Sequence, residues 1–191
     1  RRQRISYDTS GTICSRNGRR SRDAYKIIGG IKVKRIISAL VHDRPGVLNR
    51  ISSMFRRRGF NIASLAVGHS EKTGFSRMTI VVDNIEDSQI DQITTQLDNV
   101  VEVVEAFDIT DQPNVVRETA LIKVSATPST RGQIVEILDL FNGIEVANVS
   151  TDWIIIEITG TTDQIESMLT LLEPHGIIEL MRTGLIALTS N

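Results

Sequence analysis

Cysteine occurs once in the 191 residues, at Cys14, which excludes both an internal disulfide framework and a cluster of thiolate metal ligands. The three histidines, His42, His69 and His175, are spread along the chain without metal-ligand spacing. Aromatics make up only 4% of the chain against 40% apolar residues, so the core must be built mainly from Ile, Val and Leu. No apolar run approaches the roughly 20 residues that a membrane-spanning helix needs. Neither GxxxxGKS/T nor GxGxxG occurs, so there is no glycine-rich phosphate cradle. No Ser/His/Asp set stands out, and no Cys/His pair lies in the body of the chain. The expectation is a protein with no catalytic centre and no metal or cofactor of its own.

The formal net charge is −1, from 22 Lys/Arg against 23 Asp/Glu, and the near balance conceals an asymmetry. Residues 1–31 carry eight basic and two acidic side chains, a net of +6, which leaves 14 basic and 21 acidic for the other 160 residues, a net of −7. An acidic body is a poor match for a polyanion. The Arg/Ser-rich opening has no hydrophobic period and reads as a disordered extension or as the end of an organelle transit peptide. A bacterial cytoplasm is the default compartment, with a plastid stroma as the alternative.

From Val33 the pattern becomes regular. The apolar run Val33–Val41 ends at the turn signal Asp43-Arg44-Pro45-Gly46. Val47, Leu48, Ile51, Met54 and Phe55 then mark one face of a helix, which Gly59 stops. Phe60–Val67 and Phe75–Val82 predict a hairpin around the polar turn from His69 to Gly74. Ile90, Ile93 and Leu97 return to helical spacing, and Val100–Ile109 is extended again. The order is β-α-β-β-α-β. The same order follows in strands Ala120–Ala126, Ile144–Val149 and Trp153–Ile158, a last extended stretch over Gly176–Leu188, and helical stripes around Ile134 and Ile165. The predicted fold class is therefore α+β, two ferredoxin-like βαββαβ domains in tandem. Its boundaries fall at residues 1–31 for the extension, 32–110 and 111–118 for the first domain and a polar linker, and 119–191 for the second domain.

In such a fold both helices cover one face of each sheet. Simple alternation puts Phe60 and Ile62 on one face of their strand and Ala63, Leu65 and Val67 on the other. A strand apolar on both faces must be covered on both, so the second face is expected to meet another sheet or another chain, which predicts a homodimer or a larger assembly.

The loop before the first helix is the most informative segment. Pro45 fixes φ, Gly46 removes side-chain bulk, and the unpaired amides of Gly46, Val47 and Leu48 form a natural carboxylate site at a helix N-terminus. Asp43 either holds an ammonium group beside them or simply caps the helix. In the first case, with an apolar Ile62 or Leu65 nearby, the arrangement suits an aliphatic α-amino acid.

The stretch from about residue 33 to residue 110 resembles an ACT domain. More narrowly, DRPGVLNRI (43–51), RRRGFNIASLAVG (56–68), SRMTIVV (76–82), VRETALIKV (116–124) and RTGLIAL (182–188) together resemble the acetolactate synthase small subunit family. The resemblance implies an N-terminal ACT domain followed by a second ferredoxin-like domain. It also implies a regulatory subunit that binds and activates a large catalytic subunit and confers inhibition by valine bound between two ACT domains. Carried onto this chain, the effector site takes Asp43, Gly46, Val47 and Leu48 from one chain and Asn61 and Ile62 from its partner. Thiamine diphosphate, Mg²⁺ and, in some relatives, FAD would belong to the catalytic chain. Two other readings compete. One is a free-standing amino-acid sensor with a different target. The other is an RNA-binding module, for which Arg56-Arg57-Arg58 is basic enough, but the sheet aromatics such domains stack on bases are missing around Phe75.

Overall fold

The computed structural model describes residues 34–190; the expected basic extension lies outside them. The first half runs β1 (Arg35–His42), α1 (Val47–Arg58), β2 (Asn61–His69), β3 (Phe75–Asp83), α2 (Asp87–Asp98) and β4 (Val103–Asp108). The second half repeats it with β5 (Asn114–Ser125), α3 (Arg131–Leu138), β6 (Ile144–Val149), β7 (Trp153–Gly160), α4 (Thr162–Leu172) and β8 (Ile177–Arg182), then adds β9 (Ile186–Thr189). The sheets are antiparallel in the orders β2-β3-β1-β4 and β6-β7-β5-β8. This is the tandem α+β arrangement that the periodicity predicts.

Each half closes its own aliphatic core. Ile37, Ile80 and Val82 meet Ile51, Phe55 and Ile93 in the first, all almost fully buried. Ile122, Ile156 and Ile158 meet Ile134, Ile165 and Met168 in the second. Helix α4 starts at a reciprocal cap: Thr161 Oγ1 accepts from the Gln164 amide at 3.3 Å and Gln164 Oε1 accepts from the Thr161 amide at 2.8 Å. Among the described residues no helix is long and apolar enough to cross a membrane.

Two expectations change. The alternation assumed along the second strand is interrupted, because the register of β2 against β3 shifts between Ile62 and Ser64. The bulge at Ala63 places Ile62, Leu65 and Val67 opposite Val82, Ile80 and Met78, and directly opposed residues share a face. The large apolar residues of β2 therefore all face the helices, and the outer face of this strand carries Ser64, Ala66 and Gly68. The two-sided apolarity that called for a second chain was a reading of one extra residue.

The outer face of the first sheet is nevertheless buried at its centre, where Leu40 and Val81 are each 2% exposed, and the same chain buries it. Strand β5 extends back through residues 114–118, into the stretch expected to be a linker. Its first four residues pair with β9 from Asn114↔Thr189 to Arg117↔Ile186. This two-stranded ribbon leaves the second sheet and lies across the first. The Leu185 amide donates to Ser64 Oγ at 3.0 Å and the Ala187 amide to Thr79 Oγ1 at 3.3 Å. Gly184, at φ +80°, makes the crossing possible: a Cβ there would stand 2.4 Å from Ser64 Oγ. The outer face of the second sheet has no such cover among the described residues. Leu121 and its register partner Met181 are 44% and 68% exposed, and Lys123 Nζ lies 4.7 Å over the Trp153 ring.

Candidate effector site

The loop between β1 and α1 is built from its backbone. The Asp43 amide donates to Gly74 O at 2.9 Å, which ties the loop to the β2–β3 turn, and the Arg44 amide donates to His42 O at 3.0 Å. Gly46 takes φ +89° at the N-cap position of α1, a left-handed conformation that costs an L side chain about 1 kcal/mol. No side chain caps the helix. The capping alternative for Asp43 is therefore not realised, and the carboxylate is left for another partner, His69 Nδ1 at 3.3 Å.

Four amides open this helix turn. The Val47 amide makes a long bond to Arg44 O, 3.4 Å, and the Val47 side chain points into the core at 4% exposure. Gly46, Leu48 and Asn49 offer amides without a hydrogen-bond partner among the described residues. Space above Gly46 is open, since a Cβ built there would meet nothing within 4 Å. The result is a small concave donor set with a carboxylate, Asp43, at its edge. Such a set can hold a carboxylate and an ammonium group of one small molecule side by side.

Asn61 and Ile62 are not part of this loop. Strands β1 and β2 are both antiparallel to β3, so they run parallel and β2 begins where β1 begins. Asn61 pairs with Asp83 next to the Arg35↔Val82 pair, whereas the loop follows His42, opposite Phe75. The eight residues of β1 put about 23 Å between these ends at ~3.3 Å per residue. Asn61 is exposed and Ile62 half-buried against the core. Within one chain the two groups cannot meet around one amino acid.

Sequence reasoning missed two supports of the loop. His69 was visible only as a turn residue, and nothing in its spacing shows that it reaches Asp43. Glu102 stood inside an extended run, yet it is 9% exposed and lies against the loop: its carbonyl accepts the His42 amide at 2.8 Å and its carboxylate pairs with Arg50 of α1. A second charged cluster lies in the other domain. Arg182 donates from Nε and Nη2 to both oxygens of the buried Glu118 at 2.8 and 2.7 Å, and from Nη1 to Glu166 at 2.5 Å. Those hydrogen bonds, Glu118 first, hold the Arg182 guanidinium above its usual range against the opposing effect of burial.

Two ferredoxin-like sheets in tandem, the first with an open amide loop after its first strand, place the chain among proteins built on ACT-type domains. Residues 37–105 match the model for the AHAS small subunit-like ACT domain, and residues 117–191 match that for the small subunit of acetolactate synthase. The chain is 49% identical over 153 residues to the acetolactate synthase small subunit of Mycolicibacterium smegmatis, covering 80% of this chain and 89% of that one. It is 45% identical over 155 residues to that of Bacillus subtilis, covering 81% and 90%. The crystal structure of the small subunit from Thermotoga maritima matches with a TM-score of 0.77 at 37% identity, over 83% of this chain and 98% of that one. The chain belongs to the acetolactate synthase small subunit family.

Proposed function

We propose that this chain is the regulatory subunit of an acetolactate synthase in the bacterial cytoplasm. It binds the large catalytic chain, raises its conversion of two pyruvates to 2-acetolactate and CO₂ for branched-chain amino acid synthesis, and confers feedback inhibition by valine. Thiamine diphosphate, Mg²⁺ and any FAD sit in the catalytic chain, and the regulatory chain carries no catalytic centre. The observation that carries this reading is the pair of half-sites at opposite ends of one sheet. Free amides at Gly46, Leu48 and Asn49 beside Asp43 suit the zwitterion of an amino acid, and Asn61 with Ile62 suit its other side. Two copies of the chain, with their first sheets side by side, bring one half of each together.

Valine then acts by linkage. It bridges two chains and favours one arrangement of the dimer, and if the catalytic chain prefers the other, activity falls by the coupling free energy, typically ~1–3 kcal/mol. The acidic body and the ribbon across the first sheet, on the face an RNA-recognition domain would use, support a protein partner over a nucleic acid.

Co-purification of the chain with a thiamine-dependent enzyme, followed by assay with pyruvate, tests this directly. The expected result is stimulated activity that valine inhibits. Asp43→Ala should weaken the valine response on the order of tenfold with stimulation intact. Equal valine sensitivity in Asp43→Ala and wild type would refute the site, and capture of no such enzyme would favour a free-standing sensor.

A further inference from the structure

The carboxylate of Glu102 lies beside the loop and has no part in the proposed site. It is buried, 11% exposed by side chain, under a half-exposed Arg50. Its Oε1 takes the Arg50 guanidinium, while its Oε2 is buried without a hydrogen bond among the described residues. A carboxylate is not placed there for stability alone, because desolvating it costs several kcal/mol and a single arginine returns that only partly. Nor is it free for an effector, since Oε2 is buried and Oε1 is engaged by Arg50.

Its contacts bracket the loop. The Glu102 carbonyl accepts from the amide of His42, the last residue before Asp43. Its carboxylate holds the side chain of Arg50, whose own amide makes the first helical bond of α1 to Gly46 O at 3.0 Å. One residue from outside the loop thus fixes both the entry and the exit of the segment that carries the free amides. Those amides gain from such a frame, because donors held in place lose little entropy when a carboxylate arrives.

We propose that Glu102 is a positioning residue for the effector loop, acting through Arg50. It holds residues 43–49 in the open, amide-forward shape that receives the carboxylate of an amino acid. The proposal rests on the reading of the loop as an effector site, and its structural half can be measured without any effector.

The experiment uses the full chain as wild type, Glu102→Gln, Arg50→Met, Arg50→Lys and the double variant Glu102→Gln/Arg50→Met. Amide hydrogen exchange by NMR at His42 and Arg50, normalised to Ile80 in the core of β3, reads the frame. Calorimetric titration with valine reads the site. Glu102→Gln and Arg50→Met should each speed exchange at Arg50 and weaken valine on the order of tenfold. Arg50→Lys should recover most of both, and the double variant should be no worse than either single one, as expected of two residues acting as a unit. Unchanged exchange at Arg50 in Glu102→Gln overturns the proposal. So do additive losses in the double variant, or an Arg50→Lys chain as impaired as Arg50→Met. If exchange responds as expected but wild type binds no valine, the frame stands and the effector reading falls.

Discussion

The two halves of the molecule share one strand order and brace the turn after their first strand in different ways. In the first half, the turn from His42 to Val47 leaves the amides of Gly46, Leu48 and Asn49 facing outward with no partner among the described residues. In the second half, the matching turn from Ser125 to Arg131 is braced by bonds of its own. The Thr127 amide donates to Thr130 Oγ1 at 3.1 Å, the Thr130 amide to Thr127 O at 3.1 Å, and the Arg131 amide to Thr127 O at 2.9 Å. The Arg131 guanidinium then covers the carbonyls of Ala126, Ser150 and Thr151. The amides of Gly132 and Gln133 at the start of α3 are without a partner among the described residues, like those of Leu48 and Asn49, so the copies differ in how the turn is braced, through Pro45-Gly46 in one and Thr127-Pro128-Ser129-Thr130 in the other.

The halves also differ in how they use buried charge, and here the largest effect is expected. Arg182 is the countercharge of Glu118, whose side chain is 4% exposed. Arg182→Met strands that carboxylate, and loss of about 3 kcal/mol is expected, read as a lower midpoint in urea unfolding. A guanidinium held above its ordinary range contributes stability that is complete below its unfolded pKa and is lost as pH rises from there through the raised folded value. The deficit of the variant should therefore not shrink on the arginine side anywhere in the neutral range. A loss under 1 kcal/mol would mean that Glu118 finds another partner.

A smaller effect sharpens the contrast between the turns. Arg131→Met removes three charged hydrogen bonds to carbonyls of the second turn while keeping the aliphatic stem. Destabilisation of about 1–2 kcal/mol is expected, together with faster amide exchange at Ala126 and Thr130 and no change at Arg50 in the first half. If exchange at Arg50 rose equally, the halves would be one cooperative unit rather than two cores joined by a ribbon.

Most of the fold was legible because both periods are strong. Ile51, Met54 and Phe55 or Ile165, Met168 and Leu172 can only be helix stripes, and strands β5 and β7 alternate cleanly. What failed to show was whatever depends on partners distant in sequence. The bulge at Ala63 is invisible because alanine fits either face. Strand β9 pairs with residues some 70 positions earlier, so Gly184 reads as a break in one strand rather than a crossing to the other domain. In the site, Pro45-Gly46 before a helix stripe announces the open amides from local chemistry alone. Asn61 entered through family resemblance and Ile62 first as an apolar neighbour of the loop, and the backbone register puts both at the far end of the sheet from it. Glu102 and His69 support the loop through tertiary contacts that leave no spacing signal.

The smallest effect separates the two hairpin turns beside these loops. In the first half, the turn that accepts the Asp43 amide through Gly74 carries Glu71, whose carboxylate lies 3.3 Å from Arg77. A hydrogen bond from its own backbone amide, followed by the nearby Arg77, holds the Glu71 carboxyl below its ordinary value of 4.5, with desolvation opposing. A depressed acid gives stability that is present above the unfolded value and lost as pH falls through the folded one. The turn should therefore loosen below about pH 4.5. The second half braces the corresponding turn with Arg131, whose guanidinium donates to the carbonyls of Ser150 and Thr151. Following amide protection at Phe75 and at Ser150 as pH is lowered should show Phe75 released first, with Glu71→Gln abolishing the difference. Because both Glu71 and Arg77 reach solvent, global stability at neutral pH should be the same in Glu71→Gln and wild type. Simultaneous release of the two turns would show that acid acts on the hairpins through some other carboxylate.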